Sequence, residues 1–496
     1  MNEGVRTITW GTSFIGCLLG ALTGCQTSES EKAEPNFVVF LTDDLGYGDL
    51  SCYGHPIVKT PNLDRFASEG VRLTDCHSAG TVCSPSRAGI LTGRNPYRTG
   101  FYYIAGAYGA YLHSEEVTIA ELLHHEGYQT AFFGKWHLSR LEKPDQPNPG
   151  DQGFDYWLAT SVNAFEGPRN PLHFIRNGEK TGMIEGWYCD IVVRESLKWL
   201  KTISRENPFF LMICTHEPHT PLAPPDSLSA PYYQDSLIPF IKNIKYGGVE
   251  RAVPDTLLGA SKYYGTLNQL DHAFGVFIDG LDQMGFKSNT LVFLTSDNGP
   301  EHPVNFEESK GEWDDPIRDY CFGTPGPYRG MKRYPYEGGH RVPGIIRWPG
   351  NVPAGSTSDQ LFSGADVLPA FCYLAGVDIP ENLILDGEQA YSAILGKPVK
   401  RKHPVIWIFP THADTYFRMP HIAMRYKHYD LVGWFPPKPD TQKLLPWMKS
   451  SVAERFALYD LKRDTGQIID LSGKRPGLLR KLSKTMNRLW IDIRPH

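Results

Sequence analysis

Four short apolar runs, each followed at once by polar residues, constrain the fold of this chain most strongly. The runs cover residues 36–41, 129–133, 208–213 and 290–294. They are too short for most helices and do not alternate with polar residues, which is typical of central strands in a parallel sheet. Helical patterns lie between and beside them, at residues 61–69, 117–126, 190–201 and 261–284. The alternation predicts an α/β fold with a large doubly wound, mostly parallel sheet flanked by helices.

The residues that follow these runs are the types that do chemistry. They are Asp43 and Asp44 after the first run, Lys135 and His137 after the second, His216 and His219 after the third, and Asp297 and Asn298 after the fourth. Ligands of open α/β sheets bind outside the carboxyl ends of the strands, so we expect one polar pocket there. Acidic pairs from two strand ends repel unless a cation joins them, and oxygen ligands favour calcium or magnesium over zinc. The alternative is that these acidic residues cap two helices and never meet.

A separate segment, AGTVCSPSRAGILTGRNP at residues 79–96, places a cysteine beside a predicted short helix. Ser84 is a good N-cap residue for this helix, and Gly93 is a plausible stop. Cys83 would lie at the positive end of the helix with Arg87 about one turn along, a setting that favours anions and activates thiols. On these local features alone, Cys83 is equally well a small buried packing residue.

The first residues have the pattern of an export signal. Arg6 precedes an apolar run at residues 8–21 that is too short for a comfortable membrane span. The run ends in Leu-Thr-Gly-Cys, which resembles a bacterial lipobox. We therefore expect residues 1–24 to be a lipoprotein signal peptide and residues 25–34 a polar tether. The protein would be exported and anchored to a membrane through lipidated Cys25, facing the periplasm or the cell surface. An ordinary secretory signal with an incidental cysteine is the alternative.

The length of 496 residues allows a large catalytic domain, predicted over residues 35–380, and a smaller C-terminal subdomain over residues 381–496. Alternating patterns at 403–409, 421–433 and 456–464 predict antiparallel strands in the subdomain, and residues 477–491 predict a final helix. The formal net charge of -5 gives no sign of nucleic-acid binding. The nine cysteines include no CxxC pair, so no disulfide is assigned and zinc ligation by cysteine is not expected.

Several motifs occur together in one order: PNFVVFLTDDLGYGDLSCYG, CSPSRAGILTG, GKWHL, SDNG and YRGMKRYPYEGGHRVPGIIRWPG. The second fits the signature C-x-P-S-R-x-x-x-L-T-G at every fixed position. With these motifs, the chain resembles the formylglycine-dependent sulfatases, a branch of the alkaline phosphatase superfamily, from about residue 35 to 349 and less clearly beyond. One short motif would be a weak signal, but five in family order leave little room for chance.

The resemblance implies a sulfuric-ester hydrolase. A separate formylglycine-generating or sulfatase-maturating enzyme would oxidise Cys83 to formylglycine (3-oxoalanine), and the hydrate of that aldehyde would attack sulfur. By the same resemblance, Asp43, Asp44, Asp297 and Asn298 would hold one calcium ion, with the hydrate oxygen of residue 83 completing its shell.

The resemblance also assigns roles to the remaining polar residues. Arg87 would orient the hydrate, Lys135 and Lys332 would bind sulfate, His137 would be the base that breaks down the sulfated intermediate, and His219 would lie beside the leaving oxygen. Two alternatives stay open: His216 in place of His219, and a surface position for Lys332. Charge builds on the leaving oxygen in the transition state, so a proton donor there should help most.

Substrate identity depends on loops that vary between sulfatases. The candidate loops are residues 105–114, 164–176, 221–255 and 300–328, the last containing Glu301, His302, Trp313, Asp314 and Asp315. By analogy with exported bacterial sulfatases, we expect a sulfated saccharide as substrate. The basic run at residues 397–403 predicts a solvated loop, with binding of a sulfated glycan as the alternative.

Two other functions stay open. Hydrolases of phosphonate or phosphate diesters share the modified cysteine and the fold, although Asn298 within SDNG favours a sulfatase, because those relatives more often have histidine there. A non-catalytic, glycan-binding lipoprotein with an unmodified Cys83 is the third hypothesis.

Overall fold

The predicted apolar runs form the middle of a ten-stranded sheet. The structure is a computed structural model of the chain and describes residues 34–164, 166–248, 256–301, 321–409 and 420–494. The strands are β1 (Asn36–Asp43), β2 (Val71–Leu73), β3 (Cys76–His77), β4 (Gln129–Lys135), β5 (Tyr156–Thr160), β6 (Ile175–Arg176), β7 (Glu179–Lys180), β8 (Phe209–Pro218), β9 (Thr290–Ser296), β10 (Gly344–Arg347), β11 (Ser356–Ser358), β12 (Phe362–Ser363), β13 (Val405–Ile408), β14 (Ile422–Tyr426), β15 (Tyr429–Trp434) and β16 (Arg455–Asp460). The large sheet has the order β11-β2-β10-β9-β1-β8-β4-β5-β6-β7.

Strand β1 shows why the apolar runs lack alternation. It pairs in parallel with β8 and β9, so that Phe37 lies beside Phe210 on one side and Leu291 on the other. Successive side chains point to opposite faces: Phe37 belongs to one hydrophobic core and Val38 to the other. Because both faces are covered, every residue of β1 is buried.

Helices pack on both faces of the sheet. The α-helices of the described residues are α1 (Pro61–Glu69), α2 (Cys83–Thr92), α3 (Ile119–His125), α4 (Tyr188–Leu200), α5 (Asp226–Ser229), α6 (Ile238–Asn243), α7 (Thr256–Gln283), α8 (Glu337–His340), α9 (Val367–Ala375), α10 (Tyr391–Ile394), α11 (Leu444–Ser450) and α12 (Pro476–Ile493), the last two of which pack in the C-terminal part. On one face, Phe274 of α7 meets Phe40 edge-on at 5.0 Å between ring centroids. On the other, Phe371 of α9 stacks on Phe37 at 4.7 Å. The doubly wound α/β prediction is confirmed.

The C-terminal part forms the predicted antiparallel sheet, in the order β13-β14-β15-β16. Helix α12 closes one face of it with Met486 and Trp490, both fully buried. Asn95 and Tyr97 donate side-chain hydrogen bonds to the carbonyl oxygens of Ile406 and Ile408 in β13. Residues 34–496 cluster as one compact unit, and the domain boundary at residue 380 stays a prediction.

The start of α2 differs from the prediction. The helix begins at Cys83, and extended Val82 is its N-cap residue. Ser84 is not the cap because it already lies inside the helix, where its hydroxyl accepts a hydrogen bond from the Ala105 amide at 2.9 Å. The predicted stop is correct, since Gly93 takes the left-handed conformation with φ 66°.

The predicted signal peptide at residues 1–24 lies outside the described residues, as do Cys25 and the tether up to residue 33. Among the residues that the structure does describe, no helix is both long and apolar enough to cross a membrane. None of the seven cysteines from Cys52 to Cys372 within this part of the chain forms a disulfide.

A buried ring of four charges, which we call the charge ring, joins the C-terminal sheet to the large sheet. Its members alternate in sign: Asp75, Arg341, Glu337 and Arg425. Arg425 of β14 lies 2.8 Å from Glu337 and 2.9 Å from Asp75, and Arg341 lies 2.7 Å and 3.0 Å from the same two carboxylates. Burial raises the pKa of Glu337, but the charges of Arg425, His77 and Arg341 outweigh it and lower the pKa from 4.5 to about 2.

We expect Glu337→Gln to lower the free energy of unfolding by about 3–5 kcal/mol at pH 7, because it leaves two buried guanidinium groups with one carboxylate. Glu337 contributes its full stabilisation above pH 4.5, and this contribution is lost as the pH falls toward 2. The difference between the variants should therefore shrink in acid. Urea unfolding at several pH values measures it, with exposed Glu381→Gln as the matched control. Equal stability of both variants at pH 7 would contradict the role of the ring.

Candidate active site

The carboxyl ends of β1, β4 and β9 bring charged residues to one edge of the sheet. Asp43 is the last residue of β1 and Lys135 the last of β4, while Asp297 follows β9 directly. Asp44 turns out of the strand with φ 64°, in the left-handed region that aspartate tolerates better than most residues. The strand ends thus place three carboxylates side by side in the interior.

Each carboxylate has its own cation. The pairs are Asp43 with Lys135 Nζ, Asp44 with Lys332 Nζ at 2.7 Å, and Asp297 with Arg87 Nη2 at 2.6 Å. Burial raises the pKa of Asp43, but the positive charge of Lys135 and neighbouring cations lowers it well below its ordinary value. Burial and the charge of Asp43 raise the pKa of Asp297 to about 6. The pKa of Asp44 also rises to about 6, first through burial and despite Lys332. Compensation of the three charges is therefore incomplete.

Asn298 leaves an oxygen without a partner at this point. Its Nδ2 donates to Asp44 Oδ1 at 2.7 Å and to the Gly299 carbonyl at 2.8 Å. Its Oδ1 is buried and has no hydrogen-bond partner among the described residues. An unpaired buried oxygen beside incompletely compensated carboxylates fits a hard divalent cation. The contact between Asn298 and Asp44 also excludes the alternative of two helix caps that never meet.

Cys83 points into the same cluster from the first turn of α2. Its Sγ lies 3.6 Å from Asp43 Oδ1, and one ligand atom from each of Asp43, Asp44, Cys83 and His219 lies within 4.8 Å of the others. The expectation that this setting activates the thiol is wrong. Burial, followed by the negative charge of Asp43, raises its pKa to about 12 and outweighs the nearby lysines.

Arg87 is held rigidly on the next turn of α2. Its Nε and Nη2 donate to Asp297 Oδ2 at 2.9 and 2.6 Å, and its Nη1 donates to the Lys135 carbonyl at 2.7 Å. The side chain is 1% exposed, so the guanidinium group carries its charge within the protein interior. Arg87 therefore fixes the distance between the α2 helix and the ends of β4 and β9.

Two of the three predicted histidines lie in the cluster. His219 Nε2 is 3.6 Å from Asp44 Oδ2, and its Nδ1 hydrogen bonds to the Thr220 carbonyl. His137 is buried in a left-handed conformation with φ 56°, its Nδ1 has no hydrogen-bond partner in the described chain, and Lys135, Arg87 and Asp43 all act on its charge. Burial lowers the pKa of both histidines, to about 3 for His219.

His216 faces away from the carboxylates. Its Nε2 bonds to the Pro221 carbonyl at 3.1 Å, and its Nδ1 accepts from the Ala164 amide at 3.4 Å. Both ring nitrogens are therefore engaged outside the cluster. The geometry favours His219 over His216 as the histidine of the site.

Lys332 is buried, and the alternative of a surface lysine is wrong: its side chain is 4% exposed. Sequence reasoning placed Glu301 only in a variable loop, yet this carboxylate lies 3.3 Å from Lys332 Nζ and forms a bidentate pair with buried Arg333. The position of Glu301 two residues after Gly299 of the SDNG motif was the available signal. Residues 302–320 of the same loop, with His302, Trp313, Asp314 and Asp315, lie outside the described residues, as do 249–255.

Comparison with known proteins adds the family. The family model named Sulfatase matches residues 35–377. The chain belongs to the sulfatase family of the alkaline phosphatase superfamily. A second model, N-sulphoglucosamine sulphohydrolase C-terminal, matches residues 329–490 of this sulfatase.

Human arylsulfatase A is 30% identical over 488 residues, which cover 92% of this sulfatase and 87% of that protein. Human N-acetylgalactosamine-6-sulfatase is 33% identical over 378 residues, 71% of this sulfatase and 64% of that protein. The enzyme is a sulfuric ester hydrolase, as predicted.

Solved structures share the fold of the sulfatase. A protein in complex with its substrate D-glucosamine-2-N,6-O-disulfate superimposes with a TM-score of 0.68 at 19% identity, covering 92% of this chain and 98% of that one. The phosphonate monoester hydrolase of Agrobacterium radiobacter superimposes with a TM-score of 0.60 at 19% identity, covering 92% and 96%. At this identity the two structures establish the architecture alone.

The three carboxylates and their cations predict an asymmetry in stability. In a metal-free buffer, Arg87→Met should lower the free energy of unfolding by about 3–5 kcal/mol, because Asp297 loses its buried partner. Asp44→Asn should change it by less than about 1 kcal/mol or raise it, because the variant removes a poorly compensated charge and leaves Lys332 beside Glu301. Urea unfolding in the presence of a chelator measures both. A larger loss in Asp44→Asn than in Arg87→Met would contradict the incomplete compensation.

Proposed function

We propose that this sulfatase removes sulfate from a sulfated carbohydrate, with formylglycine made from Cys83 as the nucleophile and one calcium ion held by Asp43, Asp44, Asp297 and Asn298. The observation that carries the proposal is the convergence of Cys83 Sγ, three buried carboxylates and the unpartnered Asn298 Oδ1. The donor set fits calcium, because all four protein ligands offer oxygen and Asn298 Oδ1 has no hydrogen-bond donor among the described residues. The sulfated carbohydrate is supported by the name of the human relative, N-acetylgalactosamine-6-sulfatase.

The two added groups would supply the chemistry that the side chains lack. Formylglycine provides a hydroxyl nucleophile in its hydrated form, and calcium provides a charge that lowers the pKa of that hydroxyl and polarises the sulfate. The thiol of Cys83 cannot act as this nucleophile, since burial raises its pKa to about 12 and keeps it protonated at neutral pH. The proposed mechanism therefore requires residue 83 in its oxidised form.

The side chains of the protein bind and orient the anionic ester. Lys135 and Lys332 offer ammonium groups to the sulfuryl oxygens, and Arg87 holds residue 83 in line from a fixed position on α2. All three are buried, so their charges act at low dielectric and need little reorganisation during the reaction. Each such group contributes on the order of 10² or more in rate.

His219 is proposed to hold the proton for the leaving oxygen. Its Nδ1 hydrogen bonds to the Thr220 carbonyl, so in the neutral ring this nitrogen carries the proton and Nε2 has a lone pair toward the site. Donation to the leaving group then requires a second proton on Nε2, which the nearby Asp44 carboxylate at 3.6 Å would stabilise. His137, whose Nδ1 has no hydrogen-bond partner among the described residues, is proposed as the base that regenerates the aldehyde.

The burial of α2 supports a maturating enzyme as partner. All ten residues from Cys83 to Thr92 are buried, so another enzyme can reach the C-x-P-S-R segment only before the chain folds. Export and lipidation at Cys25 stay proposals from the sequence. Together they describe an exported hydrolase that is modified before folding and then held at a membrane surface.

The function is tested with protein produced alongside a formylglycine-generating enzyme. We expect the mass of the Cys83 peptide to report formylglycine, and we expect hydrolysis of an aryl sulfate much faster than of the matched aryl phosphodiester. Cys83→Ala should lose at least about 10³-fold in turnover while unfolding at the same urea concentration. A preference for the phosphodiester, or an unmodified and fully active Cys83, would reverse the proposal. Defined sulfated saccharides and their desulfated forms then identify the substrate.

Calcium is tested by its effect on stability. Added to chelated protein at about 100 times its Kd, it should raise the free energy of unfolding by about 2.7 kcal/mol, since binding favours only the folded chain. Asp44→Asn and Asp297→Asn should lose most of this gain, whereas exposed Asp378→Asn should keep it. The same gain in all three variants would place the ion elsewhere.

A further inference from the structure

A groove of about 750 Å³ lies apart from the catalytic cluster, between residues 399–404, which include most of the basic run at 397–403, the turn joining β14 to β15, and the residues that follow β16. We call it the basic groove. None of the residues proposed for catalysis lines it, although Asp75, Arg341 and Arg425 of the charge ring do. The C-terminal sheet therefore builds this groove against the large sheet.

Four lysines give the basic groove its charge: Lys400, Lys402, Lys427 and Lys462. All four side chains are exposed, and none has a carboxylate partner within the part of the chain that the structure describes. Arg401 differs, because buried Asp366 neutralises it. Asp359 is the one lining carboxylate outside the charge ring. Positive charge is thus concentrated in a chain whose formal net charge is -5.

The walls of the groove are held in place by the protein. Arg401 Nη1 donates to Asp366 Oδ1 at 3.1 Å, and the Lys402 amide donates to Glu388 Oε1 at 2.5 Å. On the facing wall, Lys427 takes a left-handed conformation with φ 56°, and its carbonyl accepts from Arg425 Nε at 2.8 Å. The basic run is therefore an anchored wall, which reduces the ordering cost of binding a ligand.

We propose that the basic groove binds a sulfated polysaccharide at a second position, away from the catalytic cluster. The proposal rests on the proposed function for the choice of polymer. A concave groove fits a chain rather than a flat lipid surface, and its one aromatic ring apart from histidine in the described lining is Tyr426, which is too few for stacking of nucleic-acid bases. Lysines with no carboxylate partner at fixed positions match repeated sulfate groups along a polymer.

The basic groove adjoins a second cleft through a shared lining residue. Thr465 lines both the basic groove and a second cleft of about 1100 Å³, whose lining includes Lys242, Lys245 and Arg329. A polysaccharide held along this surface raises the local concentration of sulfate esters near the enzyme. The expected effect is therefore on polymeric substrates and not on small ones.

The test compares two charge-reversing pairs with the same change in net charge. The groove pair is Lys400→Glu with Lys462→Glu, and the control pair is the exposed Lys180→Glu with Lys201→Glu. Titration calorimetry with dextran sulfate, in a Cys83→Ala background that prevents turnover, should show about tenfold weaker binding for the groove pair and less than about a twofold change for the control. In the Cys83 background, both pairs should hydrolyse 4-nitrophenyl sulfate at the wild-type rate.

Several results would overturn the inference. Equal weakening in both pairs would show that dextran sulfate responds to overall charge, and unchanged binding in the groove pair would place the polymer elsewhere. Binding of duplex DNA or anionic phospholipid vesicles as tight as that of dextran sulfate would exclude selection of a saccharide. Neutral Lys402→Gln with Lys427→Gln should weaken binding by about threefold, without the repulsion of charge reversal. If no variant hydrolyses the aryl sulfate but the binding contrast holds, the proposed function fails and the groove stands.

Discussion

The attraction between three buried carboxylates and three buried cations at the carboxyl edge of the sheet is the interaction on which this active site depends. Burying an isolated charge in a protein interior costs several kcal/mol, so neither the carboxylates nor the cations would be stable there without the other set. The fold supplies the two signs from different segments: Asp43 and Asp297 come from strand ends, while Arg87 comes from α2 and Lys332 from the loop before α8. The pKa of Asp297 is nevertheless raised to about 6, first by burial and then by the charge of Asp43, so the cations only partly offset the cost of burying this carboxylate. Together with Asn298 Oδ1, which has no hydrogen-bond partner among the described residues, this incomplete compensation is the basis on which we propose a cation here.

A second buried charge system, the charge ring, is connected to the first through the chain itself. Glu337 follows Lys332 by five residues, and the Ser78 amide donates to the His340 carbonyl at 2.7 Å on the segment that leads to Cys83. His77, Glu337 and His340 are also close enough to share a cation, but two guanidinium groups already compensate Glu337. The charge ring therefore ties these parts together: Arg425 of the C-terminal sheet binds Asp75 and Glu337, which lie on the segments that lead to Cys83 and follow Lys332. This explains why the C-terminal part and the large sheet form one compact unit.

The sequence alone predicts the central strands and the edge of the sheet where the polar residues meet. A strand that is buried on both faces is apolar along its whole length, and short runs of this kind are typical of parallel sheets. Prediction from the sequence fails where a side chain can bind either a local or a distant partner. Serine is a residue type that often caps helices, but the Ser84 hydroxyl accepts a hydrogen bond from the Ala105 amide, a contact that no local pattern reveals. The pairing of Glu301 with Lys332 and Arg333 is equally non-local. The basic groove needs three segments from different parts of the chain, so the run at 397–403 could only be described as a charged loop until its neighbours were known.

The packing of α2 fixes the order in which a working site can form. A side-chain carbon added at Gly89 would lie 2.4 Å from Ala79 Cβ, so the helix fits against its neighbours without spare room, and Cys83 is 2% exposed. If residue 83 is the oxidised nucleophile, its modification must precede this packing, because no enzyme can reach the sulfur afterwards. A metal held by the proposed ligands would come last, because Asp43 and Asp297 are 254 residues apart in sequence and become neighbours only when β1 and β9 pair. Under the proposed function, oxidation, folding and metal binding are therefore successive steps, and a chain that folds before oxidation would keep a buried, protonated thiol at residue 83.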